Sequence, residues 1–150
     1  MRTILFICEH NSARSQMAEA YLNLFAAEDT LFAESAGLEP GSLNPYAVEV
    51  LKEEGIDISS IRAKSCFDLY KQQKQFDIII TVCSPAVSAK CPIFPGRVKR
   101  FNWPFDDPSS LTGNREEVLA QTRKIRDQIK EKVKSFIHDY NKTGLKLFIE

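Results

Sequence analysis

The sequence lacks net charge, long apolar runs and clustered cysteines. Its 150 residues carry 20 Lys and Arg against 20 Asp and Glu, so no overall field attracts nucleic acid or anionic lipid. Its apolar runs are far shorter than the roughly 20 residues that cross a bilayer. Residues 1–4 lead into a strand-like segment rather than a signal peptide. We therefore expect a cytoplasmic protein that binds neither nucleic acid nor membranes.

The four cysteines are too few and too dispersed for a disulfide-stapled secreted scaffold. They are Cys8, Cys66, Cys83 and Cys91. Structural zinc sites usually take closely spaced cysteine pairs, and no two cysteines here are that close. We expect free thiols in a reducing compartment, no metal centre built from them, and a structural role for Cys66.

The apolar pattern predicts one α/β domain over residues 1–150, without repeats or linkers. The runs at 3–7 and 76–82 are typical of strands buried on both faces, and weaker strands are expected near 31–35 and 98–103. Helical patterns separate the strands. The first spans 14–27 and places Met17, Ala20, Tyr21, Leu24 and Phe25 on one face. The second runs from Asn44–Pro45 to Gly55. The third begins at about Asn114 and carries the stripe Val118, Ile125, Ile129, Val133, Phe136 and Tyr140. This alternation favours a four-stranded parallel sheet with helices on both faces and ligands beyond the carboxyl ends of the strands.

The loop between the first strand and the first helix carries the strongest functional signal. Its backbone N–H groups can form an anion-binding nest, to which the helix N-terminus adds positive charge. The predicted oxyanion loop comprises Glu9, His10, Asn11, Ser12, Ala13 and Arg14. The same field stabilises a thiolate, so Cys8 is the predicted nucleophile. Arg14 would hold two oxygens of a tetrahedral oxyanion with its planar fork, and the Ser15 hydroxyl would donate to the sulfur.

Taken singly, Cys8 and Arg14 also fit a buried thiol at a strand end and a solvated helix residue. The C-x5-R-S spacing between strand and helix favours catalysis. With this loop the chain resembles the low-molecular-weight protein tyrosine phosphatase superfamily over nearly its whole length. The further shared motifs are residues 4–8, Ala18–Glu19, Asn44–Pro45, Gly55–Ile56–Asp57, Arg62–Ala63–Lys64 and Asp107–Pro108. The resemblance implies that Asp107 is the general acid for the leaving oxygen; Asp106 and an ordinary Asp-Pro turn are the alternatives.

A cysteine pair after the central strand points to one branch of this superfamily. Cys83 and Cys91 follow the predicted strand 76–82 and would share the sheet edge of Cys8. The arrangement resembles the thioredoxin-coupled arsenate reductases. The resemblance implies that Cys8 attacks arsenate and that Asp107 helps water or hydroxide depart. Cys83 would then attack Cys8 to release arsenite, and Cys91 would attack Cys83.

The second resolving cysteine favours a thioredoxin-type dithiol as the reductant of the final disulfide, with glutaredoxin and glutathione or another thiol system as alternatives. We expect a monomer. If 83–91 were helical, eight steps of about 1.5 Å would hold the two Cα atoms roughly 12 Å apart. A disulfide tolerates no more than about 7 Å. The segment is therefore expected to bend or unwind on oxidation.

Two other functions stay open. A phosphatase for phosphate monoesters would use a Cys8 phosphocysteine with Arg14 and Asp107, and Cys83 and Cys91 would then be inert buried thiols. A noncatalytic module would bind oxyanions without turnover. The aromatic pair that phosphatases of this family often carry after Asp-Pro is Ser109–Ser110 here, which disfavours phosphotyrosine.

A cation site is a further expectation from the resemblance. Some superfamily members bind potassium near the loop through Asn, Glu, Ser and Asp. Asn11, Glu19 and Ser35 match the first three ligands, whereas the Asp has no clear counterpart because Cys66 falls near its position. Many reductases of the branch also carry a loop cysteine where this chain has Ala13. No other bound cofactor is expected.

Overall fold

The computed structural model describes residues 1–144. They contain one sheet of four parallel strands. The strands are β1 (Arg2–Cys8), β2 (Leu31–Gly37), β3 (Ile78–Thr81) and β4 (Lys99–Asn102), in the order β2-β1-β3-β4. The helices are α1 (Arg14–Phe25), α2 (Pro45–Lys52), α3 (Cys66–Lys71), α4 (Pro85–Ser88) and α5 (Arg115–Thr143), with a 3₁₀ turn at Pro108–Ser110. The predicted fold class is confirmed. None of these helices is long and apolar enough to span a bilayer.

Each face of the sheet has its own apolar core. Ile4, Phe6 and Cys8 of β1 pack with residues of α1, α2 and α5. Leu5 and Ile7 pack on the other face, with α3 and with Phe94 from a loop. Successive strand residues point to opposite faces, so the continuous apolar run of β1 is the pattern of a strand covered on both sides.

The start of α2 follows the predicted cap-then-proline pattern. The Asn44 side chain accepts from the N–H groups of Tyr46 and Ala47 at 2.8 and 3.2 Å, and Pro45 occupies the first turn. The helix ends at Lys52, before Gly55, whose φ of +79° belongs to the turn that follows.

Three of the five residues that the sequence places on one face of α1 are not buried. Leu24 and Phe25 are 58% and 36% exposed, and Ala20 is half-buried. The buried apolar face is instead Met17, Ala18, Tyr21 and Leu22. Because α1 packs against both the sheet and α5, these four residues are turned toward the interior.

The predicted stripe of α5 is confirmed, with Tyr140 half-buried and the other members buried. The seven-residue step in the stripe is filled by Thr122, which is fully buried. Its hydroxyl donates to the Val118 carbonyl at 2.6 Å. A polar residue is tolerated at this buried position because its hydrogen bond is made within the helix.

Candidate active site

The Cys8 sulfur lies at the carboxyl end of β1 with two polar contacts. The Asn11 N–H donates to Sγ at 3.1 Å, and the Ser15 hydroxyl lies 2.9 Å from Sγ. Asn11 has a φ of +53°, a left-handed conformation that asparagine tolerates and that turns its N–H toward the sulfur. Both groups can donate a hydrogen bond to a thiolate at this position.

The buried Asn11 side chain holds the loop in shape. Its Nδ2 donates to the hydroxyls of Ser15 and Ser35 at 2.7 and 2.9 Å. Its Oδ1 accepts from Gln16 Nε2 at 3.0 Å and from the Lys64 N–H at 2.9 Å. The loop is therefore fixed to β2, to α1 and to the segment before α3.

Gly37, at the end of β2, is required by a close backbone approach. A Cβ there would lie 2.7 Å from the Asn11 nitrogen and 2.8 Å from the His10 carbonyl carbon. Any larger residue would push the oxyanion loop away from β2. The contacts of Gly37 and Lys64 with the loop were missed by sequence reasoning, because only the folded chain brings these residues to it. Gln16 directly follows the C-x5-R-S segment in sequence, and no motif marked its bond to Asn11.

The remaining loop residues contribute backbone rather than side chains. Glu9 and His10 direct half-exposed side chains outward and pair weakly with each other at 4.0 Å. Ser12 and Ala13 are buried. Within the described residues no side chain caps α1, which begins after Ala13, so its first-turn N–H groups are available to an anion.

Arg14 and Asp107 face each other across the mouth of this loop. Arg14 Nη1 donates to the Phe105 carbonyl at 3.0 Å, and Nη2 lies 3.6 Å from Asp107 Oδ2. The other Asp107 oxygen accepts from the Ser109 N–H at 2.9 Å. Asp107 thus caps its own Asp-Pro turn and also presents a carboxylate to the site, whereas Asp106 is exposed.

A cleft of about 380 Å³ opens between these groups, and Cys83 lies in its wall. Its lining includes Glu9, Arg14, Cys83, Ser84, Phe105 and Asp107. Cys83 is almost completely buried. Burial raises the pKa of the Cys83 thiol to about 11, with Arg14 lowering it and Cys8 raising it further. The Cys83 thiol is therefore protonated at neutral pH, and it lies close enough to Cys8 and Arg14 for both to affect its pKa.

Cys91 follows Cys83 in sequence after residues 84–90 and packs on the other face of the sheet. Cys83 belongs to the apolar cluster under α1 and α5, while the half-buried Cys91 packs against the cluster under α3. Burial raises the pKa of Cys91, and Arg100 opposes the shift. Both thiols are free.

The helix between the two thiols is tied to the sheet by a polar contact. The Ser88 hydroxyl lies 2.9 Å from that of Thr81. Asn102 Nδ2 donates to the Thr81 hydroxyl at 2.8 Å and to the Cys83 carbonyl at 2.9 Å. We call Thr81, Ser88 and Asn102 the α4 latch.

The fourth cysteine, Cys66, is fully buried at the start of α3. Burial, and then the neighbouring Cys91, raise the pKa of the Cys66 thiol to about 12. Such a thiol is a poor nucleophile at neutral pH.

The three residues matched to a cation site do lie together. Asn11 donates to Ser35, and Ser35 lies close enough to the Glu19 carboxylate to lower its pKa. Burial raises the pKa of Glu19, and the nearby Lys64 charge opposes the shift. The described residues place a lysine, rather than an aspartate, beside this group.

Comparison with known proteins gives a consistent result. The family model for low molecular weight phosphotyrosine protein phosphatases matches residues 3–146. An arsenate reductase of Bacillus licheniformis is 41% identical over 137 residues, covering 90% of this chain and 94% of its own. A solved arsenate reductase in an oxidized state has a TM-score of 0.74 and 27% identity, with 93% and 98% of the two chains covered. A thioredoxin-dependent arsenate reductase of Corynebacterium glutamicum has a TM-score of 0.63 and 29% identity, covering 92% of this chain and 62% of that one.

Proposed function

We propose that this chain, which belongs to the low molecular weight phosphotyrosine protein phosphatase family, reduces arsenate to arsenite through Cys8, Cys83 and Cys91. The observation that carries the proposal is the position of Cys83 in the wall of the cleft that Arg14 and Asp107 line. A phosphatase has no use for a second thiol there. The arsenate reductases among the relatives of this chain support arsenate as its substrate.

The first step is attack on arsenic. The loop N–H groups and the Arg14 fork hold the oxyanion against the Cys8 thiolate, which the Ser15 hydroxyl and the Asn11 N–H stabilise. The sulfur forms a bond to As(V) while an As–O bond breaks. Asp107 is the proposed general acid that passes a proton to the departing hydroxide, which leaves as water. Arg14 stabilises the charge that builds on the remaining oxygens.

The second step moves two electrons. Cys83 loses its proton to solvent in the cleft and attacks Cys8 Sγ, and the electron pair of the S–As bond stays with arsenic. As(V) becomes As(III), arsenite leaves, and the protein holds a Cys8–Cys83 disulfide. The raised pKa of Cys83 keeps this thiol from competing with Cys8 for the oxyanion.

The third step regenerates the nucleophile. Cys91 attacks Cys83, Cys8 leaves as a thiolate, and the two electrons that arsenate took are now missing from a Cys83–Cys91 disulfide. A dithiol protein of the thioredoxin type then reduces that disulfide, as the thioredoxin-dependent relative suggests. A monomer suffices, since all the named groups come from one chain.

The test is arsenate-dependent oxidation of NADPH by the purified protein with thioredoxin and thioredoxin reductase. We expect turnover in the parent and none in Cys83→Ser or Cys91→Ser. The matched control is Cys66→Ala, which removes the cysteine that the relay does not use and should retain turnover. Equal rates in the parent and in Cys83→Ser would refute the relay.

One observation also favours phosphate ester hydrolysis as a side activity. Cys8, Arg14 and Asp107 form a complete set of nucleophile, anion clamp and acid without the other cysteines. Arsenate and phosphate monoesters are both tetrahedral oxyanions, so thiolate attack begins both reactions. Hydrolysis of an aryl phosphate should therefore be slow, and unchanged in Cys83→Ser and Cys91→Ser.

A further inference from the structure

Cys83 lies on the face of the sheet opposite to the one that the alternation of β3 gives it. Successive side chains of a strand point to opposite faces, and Ile78, Ile80 and Val82 pack in the apolar cluster under α1 and α5. Cys83 is the next residue and should point away from that cluster, yet it packs there as well, together with Cys8. The backbone therefore turns at Cys83, and this turn places the Cys83 sulfur on the Cys8 side of the sheet.

The side chain of Asn102 is bonded to the backbone at this turn. Its Nδ2 donates to the Cys83 carbonyl at 2.9 Å and to the Thr81 hydroxyl at 2.8 Å, with a longer contact to the Thr81 carbonyl at 3.2 Å. Asn102 is the last residue of β4 and pairs in register with Thr81. The amide group thus connects the end of β4 to the end of β3 and to the turn that follows it.

The backbone is held differently on the two sides of Cys83. Before it, the Val82 N–H donates to the Ile7 carbonyl of β1 at 2.8 Å. After it, the N–H groups of residues 87–91 donate to oxygens of residues 84–88 at 2.9–3.3 Å, so this stretch bonds to itself. Asn102 therefore lies at the boundary between backbone that is fixed in the sheet and a short stretch that can move together with Cys91.

We propose that Asn102 is a positioning residue for the second step of the proposed function, on which this inference rests. By fixing the Cys83 carbonyl, it keeps the Cys83 sulfur on the Cys8 side of the sheet, whereas Cys91 packs on the opposite side. Without this bond the turn is freer, and a smaller share of the molecules presents Cys83 to Cys8. Oxyanion binding depends on the loop and on Arg14, so it is unaffected.

The experiment measures how readily Cys8 and Cys83 form a disulfide in the absence of arsenate. The background protein carries Cys66→Ala and Cys91→Ser, so that the chain keeps only these two thiols. In a glutathione buffer, the two protein thiols and one glutathione disulfide give the protein disulfide and two glutathione thiols. The equilibrium constant, read by alkylation and mass spectrometry, is the effective concentration of one protein thiol at the other.

Two variants remove the bond to Cys83. Asn102→Leu removes the amide at similar size, and Asn102→Asp keeps the size but replaces the donor with an acceptor that faces two oxygens. Asn102 is exposed, so neither substitution disturbs the apolar clusters. The matched control is Arg100→Leu, at an exposed position on the same face of β4, because Arg100 bonds to the Pro92 carbonyl rather than to Cys83. Inorganic phosphate binding and a melting curve are measured for each protein.

We expect both Asn102 variants to lower the effective concentration about threefold or more, within the factor of roughly 2–12 that one hydrogen bond supplies. Arg100→Leu should leave it unchanged. Phosphate binding should be the same in all of these proteins, which a general loosening of the structure would not allow. With arsenate, formation of the Cys8–Cys83 disulfide in a single turnover should slow by the same factor.

Three results would overturn the inference. One is a folded Asn102→Leu or Asn102→Asp protein whose effective concentration falls by less than about threefold. The second is an equal fall in Arg100→Leu, and the third is phosphate binding that weakens in parallel. Because the glutathione measurement uses no arsenate, a protein that behaves as expected there but never reduces arsenate would overturn the proposed function alone.

Discussion

The α4 latch gives a quantitative prediction about the movement of Cys91. In the reduced protein the Ser88 hydroxyl bonds to Thr81 of β3, and α4 has only four residues to resist opening. Ser88→Ala removes this one bond. A typical hydrogen bond contributes about 0.5–1.5 kcal/mol, so the open state of α4 should become roughly 2- to 12-fold more populated. If opening limits the approach of Cys91, the Cys83–Cys91 disulfide should form faster by the same factor.

The assay is a single turnover with arsenate and no reductant, quenched by alkylation and read by mass spectrometry. The control is Ser135→Ala, an exposed position on α5, which should leave the rate unchanged. Loss of Cys8–Cys83 and gain of Cys83–Cys91 are followed separately, so an effect on the first attack is distinguished from an effect on the exchange. An unchanged or slower exchange in Ser88→Ala would refute the argument that α4 has to open.

Three further predictions concern the loop and the second thiol. Arg14→Lys should lower kcat/KM for arsenate about 10²–10³-fold, because the planar fork that aims at two oxygens is lost; steady-state kinetics measures this. Formation of the Cys8–Cys83 disulfide in a Cys91→Ser protein should speed up about tenfold per pH unit between about pH 7 and 9, because burial raises the Cys83 pKa to about 11; a plateau near the ordinary thiol pKa would contradict this. Gly37→Ala should cost about 1–3 kcal/mol in chemical denaturation and reduce turnover, since its Cβ meets the Asn11 nitrogen at 2.7 Å.

The parallel sheet with helices on both faces and the site loop were within reach of the sequence for a physical reason. Strands buried on both faces, such as β1, leave continuous apolar runs, and C-x5-R-S is short enough to act as one loop. The strand pattern predicted that Cys83 shares the sheet edge of Cys8, and only its role was predicted through the resemblance. Its place in the cleft wall depends on the packing of β3 beside β1.

Other features depend on contacts that no local pattern reveals. Leu24 and Phe25 satisfy the helical period of α1, yet they are exposed because the sheet and α5 cover the neighbouring ridge. Lys64 lies 53 residues from Asn11 in sequence, and only the fold brings its N–H to that side chain. The predicted bend of 83–91 on oxidation stays a prediction, as do the donor and the monomeric state.

In the proposed relay, oxidation passes from Cys8 through Cys83 to Cys91. The decisive experiment maps the disulfides of the parent after one equivalent of arsenate, with no reductant present. We expect one equivalent of arsenite and a Cys83–Cys91 disulfide, with Cys8 and Cys66 free for alkylation. Arsenite release with four free thiols, or a disulfide that includes Cys66, would contradict it.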